Sequence, residues 1–144
     1  MSVCSSTGDP HYRAFGQRGT GARFNFMGLG VYRLAQFTSS CGCDVEIQTY
    51  IAANPRHIGA SSNMAVALRA GPVTIVITGD LTMSVTGGGH NRELNHDQVG
   101  EEGITFSGVH VSGIIQRDRR RGTSRRGYSV RFPGGGELIV YAQS

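Results

Sequence analysis

Short β-patterned runs recur along this chain, each closed by glycine or a turn-forming pair, and that recurrence constrains the fold more than any other feature. Residues 44–52 alternate, with Val45 and Ile47 inward and the pattern carried on by Thr49 and Ile51, until Asn54-Pro55 breaks it. Residues 64–68 repeat the pattern through Met64, Val66 and Leu68. Gly71-Pro72 then turns the chain into a β-branched run over residues 73–78. Gly79-Asp80 predicts a hairpin onto residues 81–86. Residues 104–106 and 109–115 pair around Gly108, and residues 128–132 and 138–142 close around Pro133-Gly134-Gly135-Gly136. Upstream, residues 23–37 put Phe24, Phe26, Gly28, Gly30, Tyr32 and Leu34 on one face of a strand pair or of one long bent strand. Residues 87–102, opened by Gly87-Gly88-Gly89, read as a polar loop. Strands every ~8–12 residues predict an all-β fold, an antiparallel β-sandwich or barrel-like stack of hairpins with little or no helix.

The 144 residues form a single expected domain, 1–144, long enough to bury a core. Twenty-two glycines and a charged content of 17% suit many turns between short strands. No apolar run approaches the ~20 residues of a membrane-spanning helix, so no membrane span is expected. Met1 opens no basic-then-apolar stretch, so the chain is expected to be cytosolic or a fragment of a longer secreted precursor. All 14 basic residues are arginine, giving a net charge of +4. Guanidinium groups suit bidentate contacts to sulfate, phosphate and carboxylate. Three cysteines, Cys4, Cys41 and Cys43, leave at least one thiol without an internal partner. All three are disulfide candidates, Cys4 with Cys41 or Cys43 first, if the compartment is oxidising.

Near the N-terminus stands Gly8-Asp9-Pro10-His11-Tyr12, preceded by Cys4 and followed by Phe15, Phe26, Gly28, Tyr32, Leu34 and Cys41 in order. Over residues 4–43 this succession resembles the von Willebrand factor type D domain. The resemblance implies a secreted or cell-surface module, structural or adhesive, that works by protein or glycan contact and is not an enzyme. The chain also departs from the family. Gly30 replaces a strand cysteine, Gly16-Gln17 follow Phe15 where the family often has Asp-Gly, and the C-terminal Gly-Leu-Cys-Gly-Asn segment is missing. That segment holds the usual disulfide partner of the first cysteine. Calcium ligand positions known in the family are not matched, so no cofactor and no metal site is expected.

Three constellations could carry chemistry. Asp9-Pro10 is an acid-labile bond type: the Asp9 carboxyl can attack its own main-chain carbonyl and break the bond to the Pro10 nitrogen, which leaves protonated, and His11, near its ordinary pKa of ~6.5, can relay that proton. An autoproteolytic module using Asp9, Pro10 and His11 is therefore one alternative function, set against a plain turn in which Asp9 caps backbone N–H groups. Arg117, Arg119, Arg120, Arg121, Arg125 and Arg126 form a dense basic loop between two expected strands. It suits acidic glycans. An intracellular polyanion-binding β domain using residues 117–126 is the second alternative, although the absence of interleaved aromatics makes nucleic acid an unlikely partner. His90, His96 and Asp97, with Glu93, Glu101 and Glu102, are permissible metal ligands, but their spacing matches no defined site and reads as a hydrated loop. Unblocked edge strands add self-association to the expected partners.

Overall fold

The computed structural model of the protein describes residues 5–7, 11–13, 23–25, 30–39, 41–53 and 61–142, with side chains from residue 30 onward except 61–62. The fold is all-β and sandwich-like. Strands β1 (Ser5–Thr7), β2 (His11–Arg13) and β3 (Arg23–Asn25) form a three-stranded antiparallel sheet. A six-stranded antiparallel sheet follows: β4 (Gly30–Thr38), β5 (Asp44–Ala53), β6 (Ser61–Ala70), β7 (Val73–Thr78), β8 (Met83–Gly87) and β9 (His90–Leu94). A single helical turn, α1 (His96–Val99), leads to the four-stranded antiparallel sheet of β10 (Ile104–Phe106), β11 (Val109–Asp118), β12 (Thr123–Arg131) and β13 (Glu137–Tyr141). In each sheet every strand pairs with its neighbour in sequence.

Strict alternation drives the larger sheet. In β5, Val45, Ile47, Thr49 and Ile51 are all buried, as the sequence pattern requires. In β7 and β8, Val73, Ile75, Ile77, Met83 and Val85 point the same way and are wholly or almost wholly buried. Their opposite number is the inner face of the smaller sheet: Phe106, Val109, Val111, Tyr128 and Val130, with Phe132 just beyond β12. The two faces share one hydrophobic core. Each large side chain buried there contributes about 1.5–3 kcal/mol by leaving water. Several contacts among the described residues cross between the sheets, two of them at residues of this core. The Phe37 and Phe132 rings meet edge to face at 5.6 Å, and the Tyr128 hydroxyl donates to the Leu81 carbonyl at 2.7 Å. Leu81 takes φ +66, in the left-handed region, while 3% exposed, so the turn between β7 and β8 is pinned from inside. At Gly87 a Cβ would overlap the Pro72 carbonyl, which only a glycine permits.

Three expectations change. The single face proposed for residues 23–37 does not hold through β4. The register with β5 shifts between Arg33 and Ala35, so burial passes from the even-numbered positions to Ala35 and Phe37. Phe26 and Gly28 lie outside the described residues. Residues 87–102 are not a loop throughout. They hold β9, which buries only Leu94, and α1, which buries Val99. Asn95 caps α1 with a reciprocal capping box: its side chain accepts from the Gln98 N–H at 2.9 Å, and the Gln98 side chain accepts from the Asn95 N–H at 2.8 Å. Finally, β11 and β12 run on into the arginine segment, so the loop there shrinks to residues 119–122.

Candidate functional site

The β11–β12 hairpin leaves the core at a defined level. Where β10 stops, the Gly100 carbonyl continues the ladder by accepting from the Gly113 N–H at 2.7 Å. Gly113 has no side chain, and His96 fills that space: its ring rests 5.3 Å from that of Tyr128 and its Nε2 donates to the Gly127 carbonyl at 2.8 Å. His96 and α1 thus close the end of the sandwich. Beyond this plug β11 and β12 stay paired as far as Asp118 and Thr123, yet their residues are exposed. Ile115, an apolar residue on the core-facing side, is 48% exposed.

The pleat sorts the six arginines. Ile115 pairs with Arg126 and Arg117 with Ser124, so Arg117 and Arg126 lie on the core-facing side of the hairpin, past the end of the core. Gln116 pairs with Arg125, which places Arg125 on the outer side, its guanidinium 4.5 Å from the centre of the Tyr141 ring. Arg119, Arg120 and Arg121 make the tip, and all six arginines are exposed. Asp118 shapes that tip. Its Oδ1 accepts from the backbone N–H of Arg120 at 3.0 Å and of Arg121 at 3.4 Å. Two acidic groups lie near the arginines: Asp118 is 3.9 Å from Arg121, and Asp97 of α1 is 3.9 Å from Arg126. Both pairs are long and solvated, worth little each. The hairpin therefore keeps a strong positive field, spread over a tip and two faces rather than gathered on one.

Of the three cysteines, Cys41 and Cys43 are among the described residues. Cys41 and Cys43 flank Gly42 in the β4–β5 connection, and Cys41 Sγ donates to Cys43 Sγ at 2.8 Å. Cys4 lies outside the described residues, and so does Asp9-Pro10; of that group only the backbone of His11 is described, as the first residue of β2. The histidines of residues 87–102 are not drawn together. His90 Nε2 meets Ser107 Oγ at 3.1 Å and its ring packs on Phe106, whereas His96 serves Gly127 and Tyr128. Among the described residues no group of three or more His, Cys, Asp or Glu could hold a metal ion. No described helix is long and apolar enough to cross a membrane. The architecture thus defines an all-β, sandwich-like protein with a projecting basic hairpin. Comparison with protein-family models and with curated proteins gives no match.

Proposed function

We propose that this chain is a non-enzymatic extracellular contact module that docks an acidic polymer, a sulfated or carboxylated glycan, on the β11–β12 hairpin. The observation that carries the proposal is the hairpin itself. It extends past its core, buries none of Arg117, Arg119, Arg120, Arg121, Arg125 and Arg126, and uses Asp118 to order the tip. A hairpin that buries so little of its outer half is retained for contact rather than for packing, and guanidinium groups offer bidentate bonds to sulfate and carboxylate. The motif residues Gly8 to Tyr12, Tyr32, Leu34 and Cys41 support a von Willebrand type D affiliation, and with it a secreted setting.

Heparin serves as the test ligand. Arg119, Arg120 and Arg121 replaced together by alanine should weaken heparin binding about 10- to 100-fold, three exposed contacts at about 0.5–1 kcal/mol each. The salt dependence of binding should also become shallower. Retention on heparin that survives the triple substitution unchanged would remove the hairpin from consideration.

A further inference from the structure

The connection between β4 and β5 carries a second cluster that glycan contact does not use. Cys41 and Cys43 stand on either side of Gly42, whose φ of +81 lies in the left-handed region that favours glycine and whose Cβ position faces open space. That backbone brings the two thiols to 2.8 Å. Ser39 Oγ lies 3.1 Å from Cys41 Sγ. Cys41 also reaches the Pro133 carbonyl of the β12–β13 turn at 3.3 Å, so the pair sits at the seam of the two sheets. Cys41 is exposed and Cys43 half-buried, an attacking thiol at the surface with a second thiol behind it.

We propose that Cys41-Gly42-Cys43 is a reversible dithiol–disulfide couple that exchanges with small-molecule disulfides, Cys41 attacking and Cys43 resolving. The steps balance. Cys41 thiolate attacks one sulfur of the disulfide, a Cys41–S bond forms, the S–S bond of the reagent breaks, and one thiolate leaves. Cys43, giving up its proton, attacks Cys41 sulfur and expels the second thiolate. The protein loses two hydrogens as the two electrons reduce one disulfide to two thiols. The local hydrogen bonds favour this division of labour. The Cys41 thiol is held below its ordinary pKa, first by the hydrogen bond with Cys43 and then by that with Ser39. Cys43 is pushed above its own, first by the hydrogen bond with Cys41 and then by desolvation. Once Cys41 ionises, the Cys43 S–H turns to donate to it. The disulfide closes a ring with one residue between the cysteines, so it gains little from loop entropy and stays exposed, the condition under which disulfides are labile rather than structural.

Mass analysis in glutathione redox buffers tests the couple. The chain has no lysine, so trypsin releases residues 34–56 as one peptide holding both thiols. In the chain with all three cysteines, under mildly oxidising buffer, this peptide should be lighter by two hydrogens, and reducing buffer should restore it. In a Cys4→Ser background the same shift should appear. Cys43→Ser should trap one glutathione on Cys41, while Cys41→Ser should react several-fold more slowly at Cys43. The proposal is overturned if oxidation joins Cys4 to Cys41 or Cys43, if both thiols of the peptide remain alkylatable in oxidising buffer, or if the two single variants trap glutathione at equal rates.

Discussion

Replacing Tyr128 with phenylalanine tests how the two sheets are joined. The ring is wholly buried and remains so in the variant, so no cavity opens. What is lost is the hydroxyl that donates to the Leu81 carbonyl at 2.7 Å. That carbonyl belongs to a turn residue that is itself 3% exposed. An orphaned buried carbonyl costs about 1–3 kcal/mol. At about 2–4 °C per kcal/mol for a chain of this size, the melting temperature should fall about 2–12 °C. A second signature lies at high pH. Burial, and then the carboxylates of Asp80 and Asp97, push the Tyr128 phenol up to about 12, against its ordinary value of 10.0. The neutral form is favoured in the folded chain. Its stabilisation is complete below the unfolded pKa and is lost as pH rises from about 10 to about 12, a loss of about 2–3 kcal/mol. The variant carries no phenol at this position and loses nothing there, while other alkaline groups are common to both chains and cancel. Urea denaturation of both chains across pH 7–12 should therefore give stability curves that converge through that window. Equal stability at neutral pH, or parallel curves above pH 10, would refute the role assigned to the hydroxyl.

Glycine 87 offers a steric test. Gly87→Ala should cost more than about 3 kcal/mol, because its Cβ meets the Pro72 carbonyl backbone rather than a movable side chain. Gly71→Ala, also at positive φ but with nothing within 4 Å, should cost about 1–2 kcal/mol, and thermal melts of the two variants separate overlap from backbone strain. Asn95→Ala should lower stability by about 1 kcal/mol through loss of the α1 cap, read by urea denaturation.

The sequence made the central strands legible because their burial is one-sided. Val45, Ile47, Thr49 and Ile51 alternate without interruption, and a period of two has no competing explanation. Ser107-Gly108, with both residues at positive φ, closes the β10–β11 hairpin at the expected place. Strand β9 left no such trace. His90, Asn91, Arg92 and Glu93 are polar, and only Leu94 enters the core, so the strand is held by its ladder to β8. Helix α1 did leave a signal, Asn95 followed three residues later by Gln98, the spacing of a capping box. The outer half of the β11–β12 hairpin is written in arginines with no apolar period, and its pairing is legible only in the backbone. Likewise the Arg33–Ala35 shift changes which residues of β4 face inward without any turn residue to mark it. The Cys41–Cys43 contact needed the positive φ of Gly42, which spacing alone does not reveal.

The pairing of each strand with its chain neighbour has a kinetic consequence. Among the described strands, no sheet ladder has to wait for a distant segment to return. Each hairpin can zip from its own turn, so the entropic toll of closing long loops is largely avoided, and refolding should be fast for an all-β chain. The slow event is then the docking of two preformed meanders, in which the Tyr128–Leu81 and Phe37–Phe132 contacts form late. Substitutions there should speed unfolding and leave the refolding limb almost untouched, whereas changes at the Ser107-Gly108 turn should slow refolding itself.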